Sequence, residues 1–93
     1  MPHIVVKLWP GKSEAQKAQL SEALAEALMR VLHYSERSVS VDVEEVASAD
    51  WADKVYKPDI LARWESLQKR PGYRLEDLEP AVSAHQDRSK SQT

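Results

Sequence analysis

A strand of alternating valines in the middle of the chain most constrains the fold. Residues 38–46 read SVSVDVEEV, and the first three valines alternate with serine, aspartate and glutamate. This period of two predicts a half-buried strand with one apolar and one polar face. The run HIVVKLW at 3–9 is β-branched or aromatic at four of seven positions and predicts an earlier strand, which Pro10-Gly11 ends.

A long amphipathic helix is predicted between these strands. Ser13 and Gln16 match a capping box, which marks a helix start. An apolar stripe at helical spacing follows, made of Leu20, Leu24, Leu28 and Val31. The helix is expected to end near His33-Tyr34. Because a helical crossover suits parallel strands, the pattern predicts an α/β chain built on a right-handed β-α-β unit.

The last third of the chain predicts shorter helices and a tail. Ser48 or Asp50 is placed to cap a short helix, and Pro58 is expected to kink or restart it. A second apolar stripe then continues to Lys69-Arg70, before Pro71-Gly72. Residues 79–93 are polar and lack aromatics, so we expect a disordered tail after a single domain at 1–78.

Composition excludes several classes of function. The 93-residue chain carries a net charge of −2 with both signs mixed, which gives no basic stripe for nucleic acid. It has no cysteine and no apolar run of the ~18 residues that a membrane span needs. Its three histidines lack metal-ligand spacing. We therefore expect a soluble cytoplasmic protein without cofactor or metal.

Two strands in one chain are too few to close a core. Such a sheet leaves apolar surface uncovered, and its edges carry unpaired backbone groups. The simplest solution is a two-fold homodimer, in which two copies complete a four-stranded sheet.

The order of these features resembles the 4-oxalocrotonate tautomerase family. Over residues 2–51, the chain shares Pro2 at the start of a strand, the Gly11-Lys12-Ser13 turn, the long helix and the valine strand. PHI at 2–4, Trp51 and KRPGY at 69–73 resemble its short dimeric branch, the PptA-type tautomerases. The resemblance implies the β-α-β tautomerase (MIF-like) fold, with C-terminal helices and a dimeric four-stranded sheet.

The resemblance also implies a reaction centred on the chain end. Removal of Met1 would turn Pro2 into a free secondary amine, which acts in the family as a general base. Such enzymes move a proton at a carbon α or γ to a carbonyl. Lys12 takes the position of the family's basic residue, and Trp51 that of the aromatic wall.

Two further positions complete the expected site. Ser40 stands where the family often has an arginine. The lack of arginine at this position disfavours dicarboxylates as substrates. The expected substrate is therefore a small 2-hydroxy-enol, such as an aryl-enolpyruvate or a related 2-oxo acid. Backbone N–H groups around Trp9 are expected to donate to the enolate oxygen.

Other interpretations of the same residues stay open. Pro2 alone also suits a strand start, where no ladder hydrogen bond is needed. Lys12 also suits a solvated turn, and Trp51 also suits core or interface packing. On the same scaffold a dehalogenase or hydratase would use protonated Pro2 as an acid. A non-catalytic dimeric binding module would use none of this chemistry.

Overall fold

The computed structural model describes residues 1–78 of the chain. The chain divides into two compact units, Met1–Glu45 and a second that begins at Val46. Each unit is described by itself. The tail expected to be disordered, residues 79–93, lies outside the described residues.

The first unit is the predicted β-α-β unit. Strand β1 (His3–Leu8) is followed by helix α1 (Glu14–Leu32), a 3₁₀ turn (Glu36–Ser38) and strand β2 (Ser40–Glu45). The two strands pair in parallel, in a register that runs from His3 opposite Ser40 to Leu8 opposite Glu45. The predicted parallel pairing and crossover helix are confirmed.

Helix α1 begins and ends at the predicted residues. The hydroxyl of Ser13 accepts the Gln16 N–H at 3.1 Å, and the Gln16 side-chain oxygen accepts the Ser13 N–H at 3.1 Å. This reciprocal pair satisfies two N–H groups at the start of the helix. At the other end, His33 caps the helix in a left-handed conformation with φ of 62°. Gly11, with φ of 125°, makes the turn into α1 in a region that favours glycine.

A lysine on α1 ties the helix to the end of β2. The Lys17 ammonium lies 2.9 Å from a carboxylate oxygen of Glu14 and 2.9 Å from one of Glu45. The hydrogen bonds that Lys17 donates to Glu14 and then to Glu45 raise the pKa of Lys17 above its ordinary value. The helix N-terminus is therefore held at the C-terminal end of the sheet.

The first unit is only half closed. No residue of 1–45 is fully buried, although the valines and isoleucine of one sheet face are half-buried. Along the predicted apolar stripe of α1, Leu24 and Leu28 are half-buried, whereas Leu20 is 37% and Val31 63% exposed. The sheet contains two strands and therefore covers only part of a 19-residue helix.

The second unit holds the buried residues of the described chain. They are Val46, Ala52, Val55 and Tyr56. A 3₁₀ turn (Ser48–Asp50) leads into helix α2 (Ala52–Leu61). This helix is wound wider than an α-helix, and the N–H of Ala62, which caps its C-terminal end, donates to the carbonyl of Lys57, five residues earlier.

Two features of the second unit differ from expectation. Pro58 does not restart a helix but lies inside α2. We attribute this to the wide winding, which relieves the clash between a proline ring and the carbonyl four residues earlier. The predicted second stripe does not form a helix to Lys69-Arg70, because α2 ends at Leu61.

An irregular segment replaces the expected helix. A 3₁₀ turn (Trp64–Ser66) follows α2. The Arg70 guanidinium lies 5.5 Å from the ring centre of Trp64, and its Nε donates to the Trp64 carbonyl at 2.8 Å. These contacts fold 64–70 back on itself, and one short helical turn follows at 75–78. Within residues 1–78, no helix is long and apolar enough to cross a membrane.

The capping box should contribute measurably to stability. Ser13→Ala removes one cap acceptor from α1, so the free energy of unfolding should fall by about 1 kcal/mol in urea denaturation. Ser48→Ala is the matched control, because Ser48 is exposed and its hydroxyl has no hydrogen bond within the described residues. Equal stability of both variants would contradict the capping role.

Candidate active site

Pro2 lies immediately before the first rung of the sheet. Its carbonyl accepts the backbone N–H of Ser40 at 3.2 Å, which extends the β1–β2 pairing by one residue. Met1, directly before it, is 92% exposed. The fold therefore holds the carbonyl side of Pro2, while the residue on its nitrogen side lies in solvent.

Ser40 also binds the residue after Pro2. Its hydroxyl oxygen lies 2.7 Å from Nδ1 of His3, its neighbour in the parallel register. The side chain of His3 is exposed, and Ile4 and Val6 are half-buried, as alternation along a strand requires. Both residues are visible in the sequence, but their contact depends on the strand register.

Lys12 lies in the connection between β1 and α1. Its side chain is exposed and forms no ion pair or hydrogen bond with any residue of 1–78. Trp9, in the same connection, is about half exposed. Both follow the C-terminal end of β1, whereas Pro2 precedes its N-terminal end, and a strand of this length separates them by roughly 20 Å. A single chain does not bring Lys12 or Trp9 to Pro2.

Trp51 belongs to an aromatic cluster in the second unit. Its indole N–H donates to the hydroxyl of Tyr73 at 2.8 Å. The ring of Tyr73 lies 5.4 Å from that of Tyr56, which is only 2% exposed. The indole is therefore held against a buried part of its own unit. Sequence analysis used Tyr73 only as part of the KRPGY motif and missed this contact.

One groove in the first unit contains none of the predicted site residues. An open groove between α1 and β2 has a volume of about 260 Å³ and is lined by Glu14, Lys17, Ala18, Ser21 and Val43. Among residues 1–78, no group of three or more histidine, aspartate or glutamate side chains is arranged to hold a metal ion.

Comparison with known protein families identifies the family of this chain. The family described as "Tautomerase enzyme" matches residues 2–55, which include both strands and α1. The chain belongs to the tautomerase family. The match begins at Pro2 and extends through Trp51, so it includes every residue predicted for the site.

Curated tautomerases are similar over most of their length. A "Probable tautomerase" of Xylella fastidiosa is 48% identical over 73 residues, which cover 78% of this chain and 89% of that protein. "Tautomerase PptA" of Pectobacterium carotovorum is 40% identical over 74 residues, covering 78% and 97%. These relatives confirm the resemblance to the PptA-type branch.

Solved structures show the same fold. TomN, a 4-oxalocrotonate tautomerase homologue in the tomaymycin biosynthetic pathway, is 34% identical with a TM-score of 0.53, covering 70% of this chain and 97% of that one. YwhB, another 4-oxalocrotonate tautomerase homologue, is 25% identical with a TM-score of 0.52, covering 82% and 97%. The predicted tautomerase fold is thereby confirmed.

The hydroxyl of Tyr73 should stabilise the aromatic cluster. Tyr73→Phe keeps the ring but removes the acceptor of the Trp51 N–H, so the free energy of unfolding should fall by about 1 kcal/mol in chemical denaturation. Tyr34→Phe is the control, because Tyr34 is 40% exposed and its hydroxyl has no partner within the described chain. If the two variants lose the same stability, the Trp51–Tyr73 hydrogen bond contributes nothing.

Proposed function

We propose that this tautomerase is a cofactor-independent keto–enol isomerase whose general base is Pro2, freed by removal of Met1. The observation that carries the proposal is the placement of Pro2, whose carbonyl is fixed by Ser40 while Met1 is exposed. Removal of Met1 would thus cost the fold no packing and would expose a secondary amine at a fixed position.

The amine must be unprotonated to act as a base. An ordinary α-amine titrates near ~8, and a secondary amine is intrinsically more basic. Apolar surroundings disfavour the ammonium form and lower the pKa of an amine, and a nearby cation acts in the same direction. A base with a pKa closer to the working pH transfers protons most effectively.

Lys12 and Trp51 are the proposed substrate-binding side chains. The Lys12 ammonium, exposed and unpaired within 1–78, would bind a substrate carboxylate or the developing enolate oxygen. The half-buried Trp51 would supply an apolar wall that excludes water. Trp9 would contribute a backbone N–H to the oxygen, and Ser40 would take the position where the family often has an arginine.

An uncharged residue at position 40 bears on the substrate. A hydroxyl offers neither the charge nor the bidentate geometry with which arginine binds a carboxylate. The proposed substrate is therefore a small 2-hydroxy-enol with one carboxylate, such as an aryl-enolpyruvate or a related 2-oxo acid.

We further propose that the site is shared within a homodimer. The first unit contains no fully buried residue, and its sheet has two strands, so further packing is needed to close its core. Lys12 and Pro2 lie beyond opposite ends of β1, roughly 20 Å apart along the strand. If the two residues act on one substrate, Lys12 must come from the partner copy.

The domain and cellular location complete the proposal. Residues 1–78 would form the tautomerase domain, followed by the polar tail. A cytoplasmic location agrees with the absence of cysteine from the sequence, since a reducing compartment offers no disulfides to a small protein.

The free amine of Pro2 should be required for activity. An alanine inserted between Met1 and Pro2 converts the proline nitrogen into an amide without basicity, so kcat/KM on phenylenolpyruvate should fall at least about 100-fold. An alanine added after Thr93 is the matched control and should leave activity unchanged. Circular dichroism and unfolding midpoints establish that both variants fold alike.

The dependence of kcat/KM on pH distinguishes Pro2 acting as a base from Pro2 acting as an acid. Because the unprotonated amine is the catalyst, kcat/KM should rise with pH through the pKa of Pro2 and then level off. A hydratase or dehalogenase that uses protonated Pro2 as an acid would lose activity over the same range. The variant with alanine inserted before Pro2 is called the Pro2-blocked protein. If it kept full activity, Pro2 would only begin the strand, and the proposal would be contradicted.

Mixed dimers test the shared site. Lys12→Ala should lower kcat/KM by roughly 10- to 100-fold, the equivalent of about 1.5–3 kcal/mol for a charged hydrogen bond. A mixed dimer of this variant with the Pro2-blocked chain contains one site with both a free Pro2 and an intact Lys12. Its activity should recover to about half that of the unmodified dimer, as in complementation of a site built across an interface.

A conservative variant and the two parent proteins supply the controls for this experiment. Lys12→Arg keeps a cation at the same position and should retain activity. Mixed dimers no more active than the mean of their two parents would place Pro2 and Lys12 in one chain's site. Sedimentation showing a monomer at micromolar concentration would contradict the dimer itself.

A further inference from the structure

A single residue of β2 binds both residues that open β1. The Ser40 N–H donates to the carbonyl of Pro2 at 3.2 Å, and the Ser40 hydroxyl lies 2.7 Å from Nδ1 of His3. These contacts fall on either side of one peptide plane, which joins Pro2 to His3. Ser40 thus holds that plane through its backbone and, by way of the His3 ring, through its side chain.

This peptide plane controls where the proline amine points. After removal of Met1, the pyrrolidine ring fixes the torsion about N–Cα, so ψ is the one backbone torsion between the amine and the plane. A loosely held plane would let the amine swing away from the reacting carbon. A displacement of about 1 Å between reacting groups is enough to cost on the order of 100-fold in rate.

The chemistry of the pair is compatible with a positioning role. Within residues 1–78, neither the Ser40 hydroxyl nor the His3 ring has another hydrogen-bond partner. In a neutral imidazole one ring nitrogen donates and the other accepts, so the hydrogen bond between the Ser40 hydroxyl and Nδ1 favours a single tautomer of His3. Around the pair, the same sheet face carries Lys7, Asp42 and Glu44.

We propose that His3 and Ser40 are positioning residues that orient Pro2 for proton transfer. The inference rests on the proposed function of Pro2 and gives Ser40 a role different from direct contact with substrate. The hydroxyl of Ser40 is already engaged by His3, so its effect reaches the reaction through the chain end. Loss of either partner should slow proton transfer while leaving substrate binding intact.

Steady-state kinetics on phenylenolpyruvate separate these roles. Ser40→Ala and His3→Ala should each lower kcat about 10-fold with KM changed less than about two-fold, because orientation and not binding is lost. The double variant should be no slower than either single one, since both remove the same interaction. Ser40→Thr keeps the hydroxyl and should restore kcat.

Ser38→Ala is the matched control. Ser38 lies two residues before Ser40. Its hydroxyl also makes one hydrogen bond, which it donates to the carbonyl of Ser35 at 2.9 Å. Its removal should leave kcat and KM unchanged. Nitrogen-15 NMR of histidine-labelled protein provides a readout independent of activity, and it should show a single His3 tautomer in the unsubstituted protein and a mixture of tautomers in Ser40→Ala.

The outcomes that overturn the inference are distinct. A raised KM with unchanged kcat in Ser40→Ala would make Ser40 a substrate contact. Full kcat in both single variants, multiplicative losses in the double variant, or the same tautomer mixture with and without the Ser40 hydroxyl would remove the positioning role alone. Full activity of the Pro2-blocked protein would overturn the proposed function together with this inference.

Discussion

The parallel pairing of β1 with β2 is the constraint on which the rest depends. It places the Ser40 N–H against the carbonyl of Pro2, so the chain end is held by the same ladder that forms the sheet. Parallel strands require a crossover, which α1 supplies, and the Lys17 ion pairs hold that helix at the end of β2. The position of the proposed base is therefore a property of the sheet and not of a separate loop.

The same architecture is the basis for the proposed homodimer. Pro2 precedes strand β1 and Lys12 follows it. The length of β1 therefore separates the proposed base from the proposed cation. Half-buried strand residues and the exposed end of α1 show that the first unit also lacks a closed core. In the proposed homodimer, association of two copies would both close the core and complete the site.

The sequence predicted the elements with strong local signals. Alternating valines predicted β2, and the Ser13–Gln16 capping box predicted the start of α1. Both signals depend only on residues that are close together in the sequence. The wide helix through Pro58 was not predictable in this way, since proline normally breaks a helix.

Contacts between distant residues were also missed. The Ser40–His3 and Trp51–Tyr73 hydrogen bonds join residues 37 and 22 positions apart. Such contacts depend on strand register and on the packing of the second unit, neither of which appears in local sequence. Family resemblance supplied the candidate site residues, whereas the separation of Lys12 from Pro2 required the length and direction of β1.

The central claim, that Pro2 is a free amine acting as the base, is tested most directly by NMR titration of the untagged protein labelled with nitrogen-15 proline. The chain has five prolines, and those within the chain have amide nitrogens that do not titrate. The account predicts one titrating proline signal, assigned to Pro2, whose midpoint matches that of the rise of kcat/KM with pH. An active protein in which no proline nitrogen titrates, or in which the midpoint and the activity profile differ, would contradict it.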